Sequence, residues 1–400
     1  MTNELKNVPE LRFSEFDGVW KNSKLGTVAN VYDGTHQTPK YTIEGIKFLS
    51  VENIKTLNSN KFISKEAFEK EFKIRPEFGD VLMTRIGDVG TPNVIETNED
   101  LAYYVSLALL KPKKLNSYFL ESLIRSQTVQ NELWRKTLHI AFPKKINKNE
   151  IAKVEINYPE QMEQQKIGEF FSKLDRQIEL EEQKLEKLEE QKKGYMQKNF
   201  SQELRFKDEN GNDYPEWEDK LISDIGKVVT GNTPSKKDNE YWNSNQYVWV
   251  TPTDISNKKN IYTSGYQLSQ KGFSKARQLP KNTLLITCIA SIGKNAILRI
   301  EGSCNQQINA VIPNDNYDVD YLYYAFEDVS KLMKSIAGKT ATQIVNKAVF
   351  EKLLLNVPIY EEQQKISGFL NKVDILIDKQ TQKIDELKLR KQGFLQKMFV

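Results

Sequence analysis

The sequence predicts an α+β protein in which two mixed α/β domains are separated by two long helices that pair, all of it written as a pseudo-two-fold internal repeat. Three observations carry this. The 400-residue chain repeats itself at a 199-residue offset, two stretches of some forty residues keep heptad periodicity, and the remaining segments carry short apolar runs bounded by turn residues. The expected division is 1–158 for the first domain and 159–200 for the first helix. The second domain and second helix follow at 201–357 and 358–400.

The repeat is read directly. Pro159-Glu160-Gln161-Met162-Glu163-Gln164-Gln165-Lys166-Ile167 answers Pro358-Ile359-Tyr360-Glu361-Glu362-Gln363-Gln364-Lys365-Ile366, and the register holds without a gap to Phe200 and Phe399. Phe170/Phe369, Asp175/Asp374, Ile178/Ile377 and Gly194/Gly393 match on the way. Upstream the anchors are sparser: Arg12-Phe13 with Arg205-Phe206, Trp20 with Trp217, and Gly34-Thr35-His36-Gln37-Thr38-Pro39 with Gly231-Asn232-Thr233-Pro234. Between anchors the halves diverge, so the plan is variable, constant, variable, constant.

The constant segments form a seam. Ile167, Phe171, Leu174, Ile178, Leu185, Leu188 and Tyr195 recur at steps of four and three, as do Ile366, Leu370, Val373, Ile377, Ile384, Leu387 and Phe394. Polar breaks fall at equivalent steps, Glu181 with Gln380 and Lys192 with Lys391. Matched breaks favour pairing of the two helices, because a polar seam residue fixes register. The alternative is two helices each packed on its own domain, but forty residues make a rod of ~60 Å, longer than a small domain requires. In the variable segments, strands are expected at 46–51, 80–86 and 105–110, and again at 247–250, 283–289 and 306–312. Helices are expected at 117–133 and 318–333. Asn147 with Glu150 reads as a capping box, and Asn346 stands at the equivalent place.

Composition narrows the function. Charged residues make up 28% of the chain, yet 58 Lys and Arg against 54 Asp and Glu leave a net charge of only +4, which permits a DNA partner without requiring one. Two cysteines (Cys288, Cys304) and two histidines (His36, His139) supply neither a zinc site nor a disulfide framework. Gly338-Lys339-Thr340 resembles the end of a phosphate loop, but Met333 stands where the motif needs glycine. No glycine-rich cofactor loop and no Asn-Pro-Pro-Tyr/Phe quartet of an adenine methyltransferase occurs. No catalytic residue and no metal ligand is therefore expected. With a polar N-terminus and no long apolar run, a cytoplasmic protein without membrane contact is expected.

Loops bounded by Gly and Pro that carry polar and basic side chains are the candidate DNA contacts, since such side chains can enter a groove or neutralise phosphates. In the first domain these are Thr35, His36, Gln37, Thr38, Lys40, Arg85, Lys144 and Lys145. In the second they are Thr233, Ser235, Lys236, Lys237, Lys294, Lys339, Thr342 and Gln343.

Several motifs taken in order resemble the specificity subunits of type I restriction–modification enzymes. They are Gly231-Asn232-Thr233-Pro234-Ser235, Glu240-Tyr241-Trp242 and Val248-Trp249-Val250-Thr251, then Asn346 to Phe350, Val357-Pro358 and Glu362-Gln363-Gln364-Lys365-Ile366. The first half departs from the pattern, with an insertion at 34–39 and Phe142-Pro143-Lys144-Lys145-Ile146-Asn147 where the second has Ala341-Thr342-Gln343-Ile344-Val345-Asn346. The resemblance implies two target-recognition domains, each reading half of a split double-stranded DNA site, joined by an antiparallel coiled coil that sets their spacing. It further implies two methyltransferase and two restriction/translocase subunits as partners. S-adenosylmethionine, ATP and Mg2+ would sit on those partners and none on this chain. A coiled-coil scaffold without sequence reading is the competing expectation; divergence of the domains around constant helices argues against a mere spacer.

Overall fold

A computed structural model describes residues 7–242, 244–256, 258–338 and 344–400. Compactness divides the chain inside the two long helices, not at their ends. One unit comprises Met1–Lys184 with Gln380–Val400, the other Leu185–Lys379.

In the first unit, Lys21–Lys24 pairs antiparallel with Glu155–Tyr158. An antiparallel sheet runs in the order Ala29–Asp33, Leu107–Pro112, Val81–Thr84, Pro92–Val94. A second sheet has the order Tyr41–Thr42, Phe62–Ile63, Ile46–Leu49, Leu101–Tyr103, its last pair parallel. The near-continuous apolar strands follow from burial of the first sheet on both faces. Val81, Met83, Ala108 and Leu110 face one core, and Leu82, Leu107 and Leu109 face another. The helix expected at 117–133 is broken into Ser117–Arg125 and Gln127–Lys136. Ser126 leaves helical conformation and its Oγ caps the second piece through the Val129 N–H. The Asn147 capping box does not form: Asn147 makes no side-chain cap bond, and Glu150 pairs with Lys153 at 2.7 Å.

The second unit repeats these elements. Glu218–Leu221 pairs with Leu354–Val357, and a sheet runs Gly226–Thr230, Ile308–Pro313, Thr283–Thr287, Asn295–Leu298, Asn260–Ile261. Its companion sheet is Tyr266–Leu268, Tyr247–Val250, Gly302–Cys304. Leu284 and Ile286 enter one core while Leu285 enters the other. The helix Val319–Ala337 is capped by Asp318, and Asn346 accepts from the Val349 N–H at 2.9 Å, as its position predicts.

The long helices span Gln161–Phe200 and Tyr360–Lys397. Their first turns explain the repeated motif. Glu163, almost fully buried, accepts from Arg12 Nε and Nη2, both at 2.7 Å, and from Trp20 Nε1 at 3.3 Å. Glu362 does the same with Arg205, at 3.2 and 2.8 Å, and with Trp217 at 3.1 Å. The next residues, Gln164 and Gln363, each accept from the N–H of a helix cap, Asn116 or Asp318, and donate to the proline carbonyl ahead of the helix. Arg12, Trp20, Glu163 and Gln164, and their counterparts Arg205, Trp217, Glu362 and Gln363, therefore close one clamp, formed twice.

Seam residues divide between two tasks. Ile167 and Phe171 join the core of the first unit, as Ile366 and Leu370 join that of the second. Beyond them the helices run antiparallel within each unit. In the first, Leu174 and Ile178 pack with Leu387 and Phe394, while Asp175 pairs with Lys391 and Glu181 with Lys383. In the second, Lys192 pairs with Asp374 at 2.6 Å. Val373, Ile384 and Leu387 are buried and Leu185, Leu188 and Ile377 half-buried, whereas Tyr195 is 38% exposed and rests edge-on against Phe369 at 4.9 Å. Phe394 meets Phe170 in the same way at 5.0 Å. The polar break is a contact: Gln380 Nε2 donates to the Glu181 carbonyl at 2.9 Å and carboxylate at 2.7 Å.

Candidate nucleic-acid interface

Three loops meet at one edge of the first unit: 34–40, 85–91 and 137–147. Gly34 begins the first loop where a Cβ would lie 2.4 Å from the Tyr103 carbonyl oxygen, so only glycine fits. Thr35, half-buried, donates to Glu71 at 3.2 Å and accepts from the Gln37 N–H at 3.4 Å. His36, Gln37, Thr38 and Lys40 are exposed, with His36 Nε2 3.9 Å from Asp33. Lys144 and Lys145 are exposed on the third loop, which the second loop holds through Gly87 N–H to the Lys144 carbonyl at 2.8 Å and an Ile86–Lys145 bridge. Sequence reasoning missed Lys73 and Lys148. Together with 34–37 and Glu71 they line a cleft of about 500 Å³. Their signal in the sequence is the neighbouring cations, Lys70 and Arg75 for Lys73, and Lys144 and Lys145 for Lys148.

Arg85 corrects an expectation. It is 4% exposed, pairs with Asp33, and donates Nε to the Ile146 carbonyl at 3.0 Å. Its guanidinium is used up inside, tying together the strand before the first loop, the second loop and the end of the third. It is a buttress for the candidate surface and not part of it. Lys148, 3.6 Å from Asp33, closes the same knot.

The second unit builds the equivalent edge from different side chains. A Cβ on Gly231 would lie 2.2 Å from the Cys304 carbonyl oxygen, repeating the close approach of Gly34. Asn232 fixes the loop by donating to the Lys275 carbonyl at 3.0 Å and accepting from the Arg277 N–H at 2.7 Å. Thr233 donates to Gln306 at 2.6 Å. Ser235, Lys236 and Lys237 are exposed, Lys236 Nζ lying 5.9 Å from the Tyr266 ring centroid. Two tryptophans brace this loop through their indole N–H groups: Trp249 to the Asn232 carbonyl at 3.0 Å and Trp242 to the Ser235 carbonyl at 3.1 Å. Their rings pack edge to face at 4.9 Å. Lys294 is exposed on the second loop. Lys339, Thr342 and Gln343 lie outside the described residues, as does Thr340; Gly338 ends the preceding helix.

Where the first unit has the Asp33–Arg85 pair, the second has a neutral set. Thr230 donates to Asn309 at 2.6 Å, and Asn309 Nδ2 to Cys288 Sγ at 3.1 Å. Val345 N–H reaches the Cys288 carbonyl at 3.1 Å, as Ile146 N–H reaches that of Arg85 at 3.0 Å, so Cys288 occupies the Arg85 position. Burial pushes the Cys288 thiol up to about 11, and that of Cys304 to about 12, so neither is a ready nucleophile at neutral pH. His139 is taken up by Trp134, ring against ring at 4.3 Å with Nε2 2.8 Å from its carbonyl. Among the described residues no group of three or more His, Cys, Asp or Glu is placed to hold a metal ion, and no helix is long and apolar enough to cross a membrane.

Residues 18–190 and 214–389 each match the type I restriction modification DNA specificity domain. The MjaIX specificity subunit of Methanocaldococcus jannaschii is 35% identical over 186 residues, covering 45% of this chain and 43% of that protein. The HindI specificity subunit of Haemophilus influenzae is 30% identical over 165 residues, 39% and 36% of the respective chains. The chain thus spans less than half the length of these curated relatives. The crystal structure of a type I restriction–modification S subunit from M. genitalium shares the fold, with a TM-score of 0.64 over 98% of this chain and 99% of that one at 14% identity. With its two matched stretches spanning most of its length, the chain belongs to the type I restriction modification DNA specificity family.

Proposed function

We propose that this chain is the sequence-reading subunit of a type I restriction–modification enzyme, each unit reading one half of a bipartite double-stranded DNA site. The observation that carries this is the pair of matching loop edges among the described residues, each opened by a close-approach glycine and presenting different polar and basic side chains. Backbone fixed in both copies with surface chemistry varied is what two readers of different sequences require, because phosphate contacts position a protein while side chains at base edges specify. In the first unit the surface is His36, Gln37, Thr38, Lys40, Lys144 and Lys145, with Thr35 at its margin and Arg85 beneath it. In the second it is Ser235, Lys236, Lys237 and Lys294, with Thr233 beside them.

On this reading the long helices set the spacing of the half-sites and dock two methyltransferase subunits, and two restriction/translocase subunits join in the cytoplasm. The chain performs no chemistry; S-adenosylmethionine, ATP and Mg2+ are held by the partners. Co-expression with the methyltransferase subunit, followed by mapping of methylated adenines, should return one motif of two short blocks separated by unread positions. The purified chain alone should transfer no methyl group. A single undivided motif, methylation without sequence preference, or transfer by the lone chain would overturn the proposal.

A further inference from the structure

The third loop of the first unit has an unusual tip. Its ends are closed by the Leu138–Lys145 bridge, with Leu138 N–H donating to the Lys145 carbonyl at 2.7 Å, and its base is fastened to the 85–87 turn. At the tip Ile140 is 99% and Phe142 104% exposed, and Trp134 nearby is 63% exposed. Two large side chains held wholly in water by an anchored loop gain nothing for folding, so their stabilising contact lies with something that binds.

The surrounding charge says what binds. Residues 133–149 contain no Asp or Glu but do contain Arg135, Lys136, Lys144, Lys145 and Lys148. Arg135 and Lys136 are drawn to Glu132, whereas Lys144 and Lys145 stand exposed directly beside the apolar tip. An apolar tip flanked by cations suits a polyanion with an apolar interior, which is a DNA duplex: lysines take the phosphates and the tip meets stacked bases. The repeat sharpens this. At the 199-residue offset, Ile140, Phe142 and Pro143 are replaced by Lys339, Ala341 and Thr342, so the apolar tip belongs to the first unit's sequence alone.

We propose that Ile140 and Phe142 form a wedge that inserts at a base step within the half-site read by the first unit, partly unstacking it. The wedge makes that half-site sensitive to the deformability of a step, a form of reading the second unit does not share. This inference rests on the DNA-reading role proposed above.

The test uses the full chain assembled with its methyltransferase partner on duplexes carrying the mapped site. Phe142→Ala should weaken binding by about 10- to 100-fold, the equivalent of burying one phenyl ring, with no change in salt slope. Phe142→Leu should keep most of the affinity. Lys144→Ala should instead flatten the log–log salt slope by about one. In the wild type, 2-aminopurine placed step by step through the first unit's half-site, away from the methylated adenine, should brighten at one step, and Phe142→Ala should abolish that. Melting should be unchanged in Phe142→Ala, since the ring packs on nothing. Failure of the wild-type assembly to prefer its site over other DNA would sink the DNA-reading role itself. Specific wild-type binding that Phe142→Ala leaves intact, with no bright step, would overturn the wedge alone. Loss of methyltransferase co-purification with DNA affinity retained would make the tip a protein contact and overturn it equally.

Discussion

The clamp at the start of each long helix and the knot beneath each loop edge behave in opposite ways across the two units. The clamps are the same: a buried glutamate, an arginine and a tryptophan indole, with near-equal distances in both copies. The knots differ in kind, a buried ion pair between Asp33 and Arg85 in one unit and the neutral Thr230–Asn309–Cys288 set in the other. Both hold the same backbone, since the Ile146 and Val345 amides make equivalent bonds. The difference teaches that frame and surface are separable here: side chains under the loops differ in charge type between the units while one backbone bond is kept, whereas those that seat the helix are the same in both.

The largest effect should come from breaking a clamp. Glu362→Ala leaves Arg205, a partly buried cation, with the exposed Glu216, 3.7 Å away, as its carboxylate partner, and should cost the second unit about 3–5 kcal/mol, on the order of 10 °C in its unfolding midpoint. Glu163→Ala should cost the first unit as much. Markedly unequal losses in calorimetry or urea unfolding would break the claim that the clamps are equivalent.

The knots should respond unequally. Arg85→Ala leaves Asp33 with the more distant Lys148, 3.6 Å away, and should cost about 3 kcal/mol, whereas Cys288→Ala removes a small buried group and should cost about 1–2 kcal/mol. Transplanting the neutral set into the first unit, as Asp33→Thr, Arg85→Cys and Ala108→Asn together, should recover most of what Arg85→Ala alone loses. A triple variant no more stable than the single one would show that the frame depends on the ion pair.

A smaller effect separates the units by pH. Burial raises the Glu121 carboxyl above the usual carboxylate range, against the pull of Arg125 2.7 Å away. The folded state thus holds this proton more tightly than the unfolded one. Its contribution to stability is complete below the ordinary glutamate range and is lost as pH rises through the raised value. Glu121→Gln should remove that slope and leave the rest of the stability–pH curve in place. The second unit has Tyr323 at this position, with its hydroxyl pushed up to about 12 by burial, so it should show no such slope there. Identical wild-type and Glu121→Gln curves would show that Glu121 does not titrate differently on folding.

The parts legible in the sequence were those governed by local period. Heptad spacing located both long helices, and runs such as Val81-Leu82-Met83 and Leu284-Leu285-Ile286 marked strands buried on both faces. The helix break at Ser126 was not read, because serine inside an apolar period does not announce a cap. Arg85 reads as a surface cation in the sequence because its partner lies 52 residues away, and charge in a loop gives no sign of burial. Arg12, Trp20 and Glu163 were each visible as repeated anchors, but their convergence across about 150 residues is a property of the fold. The candidate surface is legible as loops, whereas its braces, Trp242 and Trp249, show in the sequence only as motif residues, since the carbonyls they reach lie 7 and 17 residues away.

The central claim is that each unit reads its own half-site on a shared frame. Its most direct test replaces residues 14–158 with the first domain of another family member, keeping both long helices, and maps methylation in cells that supply the methyltransferase subunit. The account predicts that one block of the bipartite motif changes while the other block and the gap between them stay as they were. A change in both blocks, or in neither, from a chain shown to be folded and assembled, would contradict it.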